Sequence, residues 1–195
     1  MPAARPLTLV AVLGSVTPPG RLHTALSGAL ARVIRRHAVK SRLVDLAGTR
    51  IAFADGRPPP ELGDDTADTI AAVADADAVL LATPVYRGSI TGVLKNLLDH
   101  VPVSALRDKP VGVLSMGASE HHYLGAERHL RDVLTFFGAL TAPTAVYLTS
   151  ADFDDNVPST AAQTRIDELL DTTLMLAAAT GGAALGPPPL AGGRA

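Results

Sequence analysis

Three short stretches carry side chains whose types and spacing can do chemistry: SVTPPGRLHT (15–24), TPVYRGSITG (83–92) and GASEHH (117–122). The first places hydroxyls at Ser15 and Thr17, a cation at Arg21 and a third hydroxyl at Thr24, just ahead of an apolar pattern with helical spacing. The free N–H groups and positive dipole end of a helix start attract anions. One monophosphate suits that set, and so does an ordinary strand-to-helix turn with a solvated Arg. The loop is neither G-x-G-x-x-G nor G-x-x-x-x-G-K-[ST], so the dinucleotide and P-loop readings fail. The second stretch offers flat, stackable surface at Pro84, Val85, Tyr86 and the stem of Arg87. Gly88 permits close backbone approach, and Ser89 or Thr91 can cap the following helix. A capping turn with an exposed Tyr would look the same. The third, Gly117-Ala118-Ser119, has small residues and free backbone amides, and His122 can donate to a carbonyl. His121 and His122 are equally readable as two partly exposed residues at a helix start. No Asp/Glu/His set recurs at metal-ligand spacing. The chain has no Cys, which removes disulfides, thiolate metal sites and a cysteine nucleophile.

The elements that must position these loops follow from hydrophobic periodicity. LTLVAVL (7–13) is a continuous apolar run, the pattern of a strand buried on both faces. Leu22, Ala25, Leu26, Ala29, Leu30, Val33 and Ile34 define an amphipathic helix over 22–37. SRLVDL (41–46) is a short second strand, and 47–63 is a Gly/Pro-rich loop stiffened by Pro58-Pro59-Pro60. Asp64 or Asp65 can cap a helix running to about Asp75. AVLLAT (78–83) and PVGVLSM (110–116) are the third and fourth strands, separated by a helix over 91–101. A helix over 122–137, a fifth strand within 140–149 and a last helix over about 159–179 complete the pattern. The domain is therefore expected to occupy 1–179. The Gly/Pro/Ala tail 180–195 is expected to be disordered, because its composition cannot pack a core.

Composition narrows the function classes. The chain of 195 residues suits one domain, and with 47% hydrophobic but only 4% aromatic residues and no Trp its core must be Ala, Val and Leu. A net charge of −2 without a basic block argues against nucleic acid. No apolar run is long enough to span a bilayer. The first run is short and leads into a Gly/Pro loop, which disfavours a secretory leader. The expectation is a cytoplasmic protein with no membrane partner.

Five apolar strands alternating with five helices imply an α/β three-layer sandwich with a five-stranded parallel sheet. Right-handed crossovers and the lack of a long insertion favour the flavodoxin-like order 2-1-3-4-5. In that order the loops after strands one, three and four converge at the switch point beyond the strands' carboxyl ends. A phosphate loop, a stacking loop and a Gly/Ser amide loop at one place suit a flavin mononucleotide.

TPVYRGSITGVLKNLLDHVP resembles the signature of the NAD(P)H-dependent FMN reductase family, with its P-x-Y-x-x-S/x-x-G-x-L-K-x-x-x-D pattern. G-S-x-x-P-x-x-R in residues 14–21 is similar to that family's phosphate loop, and GAERHLRDVLTFFGAL (125–140) to its following helix. The likeness covers roughly residues 7–148. It implies hydride transfer from NADPH or NADH to FMN, with no side-chain acid or base required because the cofactor carries the chemistry. On this resemblance Ser15, Thr17, Arg21 and Thr24 hold phosphate, and Pro84, Val85, Tyr86 and Arg87 flank the ring. Gly117, Ala118, Ser119 and His122 hold its pyrimidine edge, and Arg87 is also the candidate for the nicotinamide's phosphate. No metal is implied.

The resemblance divides into two branches. One supplies free reduced flavin to a partner monooxygenase, as alkanesulfonate-type reductases do; the other retains FMN and reduces quinones, azo dyes or metal oxyanions. Val85, where the retaining branch usually has Glu, and the fourth-strand loop with His122 point to the flavin supplier. Ile90, Gly88-Ser89 and Lys95-Asn96 look more like the retaining branch. The balance favours the supplier. The resemblance further implies a homodimer or homotetramer formed through the helix after TPVY, with Val93, Leu97 and Val101 as candidate contacts or as core. A non-catalytic flavodoxin-like electron carrier fits less well, since such carriers are strongly acidic and shield the ring with large aromatics. A degenerate fold serving only as an interaction module predicts no flavin binding.

Overall fold

The computed structural model describes residues 5–16, 19–187 and 189. Its elements, in chain order, are β1 Leu7–Leu13, α1 Arg21–Arg36, β2 Val39–Asp45, α2 Thr66–Asp75, β3 Ala78–Pro84, α3 Gly92–His100, a one-turn α4 Val103–Leu106, β4 Pro110–Met116, α5 Tyr123–Phe137, β5 Leu140–Thr141, β6 Val146–Leu148, β7 Phe153–Asp154, β8 Val157–Pro158 and α6 Thr160–Thr180. The main sheet is parallel in the order β2-β1-β3-β4-β5, with β6 continuing the β5 position against the far end of β4.

Strand residues alternate between two cores because successive side chains point to opposite faces. Leu9, Ala11, Leu13, Leu80 and Leu114 pack with α1 and α6 through Leu26, Ile166 and Leu170. Val10, Val12, Val79, Leu81, Val111 and Val113 face the other layer, against Leu94, Leu97, Leu130 and Leu134 of α3 and α5. Each such Leu buried in full contributes about 1.5–3 kcal/mol. Leu97 and Val101 are 1% and 6% exposed. They belong to the chain's own core, which leaves Val93 alone of the three proposed subunit contacts at the surface margin.

Several local expectations change. The fifth strand is broken: Pro143 has no N–H to continue the ladder, and the freed carbonyls of Ala142 and Pro143 accept from Arg131 Nη2, each at 3.1 Å. Asp65 stands at the N-cap of α2, but its carboxylate accepts from the Arg50 N–H (2.8 Å) instead, and Asp64 accepts from the Thr66 N–H at 2.9 Å. Residues 153–158, which carried no periodic signal, form a hairpin closed by Asp155 and Asn156, at φ 42° and 69°. Left-handed conformations at both central positions mark the type I′ turn that suits the twist of paired strands. Beyond α6, the Leu185 N–H donates to Asp108 Oδ1 at 3.2 Å; the end of the proposed tail lies outside the described residues. Among the described residues no helix is long and apolar enough to cross a membrane.

Gly112, at the middle of β4, sets how closely α6 approaches the sheet. A Cβ there would lie 2.8 Å from Thr173 Oγ1 and 2.9 Å from Leu80 Cδ1. Gly112→Ala should therefore destabilise by about 1–3 kcal/mol through overpacking, measured by denaturant unfolding. Gly92→Ala, where the added methyl meets open space, should cost nothing; equal losses at the two positions would contradict this packing.

Candidate functional site

The loops after β1, β3 and β4 meet at the carboxyl edge of the sheet, and each is tied to the next. The Gly14 N–H donates to the Ala82 carbonyl (2.7 Å), extending β1 beside β3. Thr91, buried to 1% exposure, donates its hydroxyl to the Gly14 carbonyl at 2.6 Å and caps α3 by accepting from the Leu94 N–H at 3.4 Å. Residue 14 has to lack a side chain, since a Cβ would stand 2.7 Å from that of Leu94. The Val85 N–H donates to the Met116 carbonyl (2.8 Å), joining the second loop to the third. The Gly117 N–H donates to the Leu148 carbonyl (2.9 Å), and the Tyr147 hydroxyl donates to the Ser119 carbonyl (2.6 Å), joining the third to β6.

The first loop carries Arg21 as the first residue of α1, so its guanidinium stands at the helix's positive end. It is half-buried and lies over the Phe153 ring at 5.7 Å from the centroid, a cation–π contact supplied by the β7–β8 hairpin. Among the described residues no carboxylate pairs with it. Thr24 is brought less close to this task. Its hydroxyl donates back to the Gly20 carbonyl at 3.3 Å, as helix-start hydroxyls do when no other acceptor competes. Ser15 is half-buried at the loop's start; Thr17 lies outside the described residues.

The second loop is a four-residue turn. The Tyr86 and Ser89 backbones bond each other in both directions at 2.9 and 3.0 Å, with Arg87 at φ 53° and Gly88 at φ 74° between them. Tyr86 is 45% exposed, Arg87 is exposed as well, and Pro84 and Val85 are half-buried. The turn is braced from α5. His129 Nδ1 and Ser89 Oγ share a hydrogen bond at 2.8 Å, and Gly125 packs so near that a Cβ there would lie 2.5 Å from the Gly88 carbonyl oxygen. The close backbone approach expected at Gly88 is thus made possible by Gly125; Gly88 itself is needed for its left-handed φ. Of the two hydroxyls weighed as helix caps, Thr91 is the cap.

The third loop corrects one expectation. The Gly117 amide is not free, because the Leu148 carbonyl takes it; the N–H groups of Ala118 and Ser119 are the ones without a protein acceptor among the described residues. His122 is exposed on a short 3₁₀ turn, with its side chain capping nothing. Tyr147, Phe153, Gly125 and His129 were not legible as site residues. Each acts across a long sequence separation, and the one faint signal was an aromatic inside the AVYL strand.

The edge is open rather than enclosed. A surface concavity of about 320 Å³ lies at Val85, Tyr86 and Arg87. Larger ones lie elsewhere, at about 460 Å³ beside Arg5, Asp77 and Lys109 at the opposite end of the sheet and about 410 Å³ between Pro143–Tyr147 and α6. They lack the converging loops, and size alone does not outweigh the geometry. Among the described residues no group of three or more His, Asp or Glu is placed to hold a metal.

Comparison with known proteins identifies the family. The profile of the NADPH-dependent FMN reductase family matches residues 7–154. An NADH-dependent FMN reductase, SfnF of Pseudomonas fluorescens, is 36% identical over 152 residues, covering 78% of this chain and 81% of the relative. An FMN-dependent NADPH-azoreductase of Staphylococcus aureus is 31% identical over 141 residues, covering 69% and 73%. The apo crystal structure of an NADH:FMN oxidoreductase (EMOB) superposes with a TM-score of 0.75 over 96% of this chain and 97% of that one; at 23% identity it speaks for the fold.

Two outcomes test this geometry. Thr91→Val leaves a buried carbonyl and a helix N–H unpaired, and should destabilise by about 1–3 kcal/mol, whereas Thr91→Ser, which keeps the hydroxyl, should cost clearly less. Arg87→Gly removes a side chain from a left-handed position and should stabilise by about 1 kcal/mol. A lower melting temperature for that variant would mean that the Arg87 side chain itself holds the turn.

Proposed function

We propose, for a chain that belongs to the NADPH-dependent FMN reductase family, that it reduces FMN and releases it as a diffusible product to a partner monooxygenase. The protein is an NAD(P)H:flavin oxidoreductase: a hydride leaves the nicotinamide for FMN, one proton comes from solvent, and NAD(P)⁺ and reduced FMN result. FMN supplies the electron acceptor when bound. The chain's residues bind and orient it and leave one face open to the nicotinamide.

The residues at the edge fit that group. Arg21, at a helix start and without a carboxylate partner among the described residues, would meet the phosphate together with Ser15, and Thr24 would add to it by giving up its bond to Gly20. Pro84, Val85 and Tyr86 would flank the ring. The unpaired N–H groups of Ala118 and Ser119 would face its pyrimidine edge, where charge develops on reduction. The exposed Arg87 is the group best placed for the nicotinamide's phosphate. No general base is needed.

The observation that favours release over retention is the openness of the site. Tyr86 is 45% exposed, Ala118, His121 and His122 stand in solvent, and among the described residues no large aromatic closes over the edge. Burying most of a ligand's surface is what normally yields tight binding, so moderate flavin affinity follows. The second reading, retention of FMN with reduction of quinones or azo compounds, is supported by the likeness to an FMN-dependent azoreductase.

Purified protein distinguishes them. A colourless protein that oxidises NAD(P)H only when FMN is added, with saturation, is the expected result. A yellow protein that keeps FMN through desalting and turns over with quinone alone would replace it with the second reading. Arg21→Ala should weaken FMN binding at least tenfold while leaving riboflavin binding within twofold, since a charge-assisted contact to phosphate is worth about 1.5–3 kcal/mol; equal losses would remove the phosphate role.

A further inference from the structure

We infer that Tyr147 is the positioning residue for the flavin's pyrimidine edge: by bonding the Ser119 carbonyl across the bare backbone of Gly117, its hydroxyl holds the Ala118 and Ser119 amides in place. The inference deepens the reading of the edge as an FMN site and rests on it.

Tyr147 sits on β6 in register with Ser115 of β4, and Leu148 with Met116. From there the phenol passes over the third loop. A Cβ at residue 117 would lie 2.0 Å from the Tyr147 oxygen and 2.9 Å from its Cζ, so the ring can lie there only because residue 117 is Gly. Two bonds then fix the loop to adjacent residues of one strand: Gly117 N–H to Leu148 O at 2.9 Å, and Tyr147 O–H to Ser119 O at 2.6 Å. The peptides carrying the Ala118 and Ser119 N–H groups lie between those two anchors. Their direction follows from the anchors, because the backbone has only two soft torsions per residue.

The anchor is itself held. Arg165 of α6 donates to the Tyr147 carbonyl at 3.1 Å and pairs with Asp152. Asp152 in turn accepts from the Thr149 N–H at 2.7 Å. Desolvation raises the phenol's pKa above its ordinary value, so it remains a donor throughout the neutral range. Among the described residues nothing else of this kind tethers the exposed part of the loop: Ala118, Glu120, His121 and His122 all face solvent.

Tyr147→Phe keeps the ring and removes the donor. Titration of FMN and of riboflavin should show both affinities falling by about three- to tenfold and by the same factor, because the ring edge, not the phosphate, loses its donors. The KM for FMN should rise with them and kcat should fall, because the same amides face the charge that develops on reduction, while the KM for NAD(P)H stays nearly constant. Unchanged flavin affinity, or a loss confined to FMN, overturns the inference, as does a lowered melting temperature with flavin affinity intact. Gly117→Ala gives an independent check. It should weaken flavin in the wild type but add little in the Tyr147→Phe background, because both changes break one latch; additive losses overturn it. If the wild-type protein binds neither flavin, the reading of the site fails; if it binds both and the variant binds them equally well, the latch alone fails.

Discussion

The donation from the Thr91 hydroxyl to the Gly14 carbonyl joins the start of the first loop to the end of the second, at a point where neither group can reach water. Much of the site depends on that contact. It fixes where α3 begins, which sets the length of the turn holding Tyr86 and Arg87. It also requires a residue without a side chain at position 14, which sets the direction in which the chain leaves β1. The same hydroxyl accepts from the α3 backbone, so one buried group settles a helix start and a loop path together. Buried polar groups of this kind contribute modestly when paired and cost heavily when orphaned, which makes the arrangement specific rather than merely stable.

The rest of the edge is built on the same plan. Backbone passes close to its neighbours, and hydrogen bonds run between loops as well as within the Tyr86–Ser89 turn. Gly117 and Gly125, like Gly14, mark places where a methyl group would collide with a neighbour. The chain uses bare backbone for assembling the edge, and on the proposed reading ligand recognition falls to a few groups: one guanidinium at a helix start, one half-exposed ring and two amides. That economy suits a reaction in which the cofactor carries the chemistry and the protein contributes position and charge.

Openness and rigidity coexist here. The tips of the loops are exposed, while their roots are tied to the sheet and to α3, α5 and β6. The edge is thus reachable from solvent while its donors keep a fixed direction. The β7–β8 hairpin belongs to this scheme, since it lies against α1 and lays the Phe153 ring beside Arg21. The stacked guanidinium keeps its charge available, because an aromatic face restrains it without neutralising it.

The sequence by itself determined the layers, the strand order and the convergence of three loops. Those follow from local periodicity: continuous apolar runs for strands covered on both sides, 3.6-residue spacing for helices, and crossover handedness for order. It also located Arg21 at a helix start and Tyr86 on an exposed turn. Which groups are still free to bind was decided by the tertiary structure alone. The Gly117 amide looked available in the sequence, and the carbonyl of Leu148 on the neighbouring strand takes it. The strand expected within 140–149 is two short pieces, β5 and β6, on either side of Pro143. Tyr147 and Phe153 had no motif to announce them, because a residue that acts across 28 or more positions leaves no trace in local spacing. Periodicity records what a segment buries; only the folded chain records which partner each polar group finds.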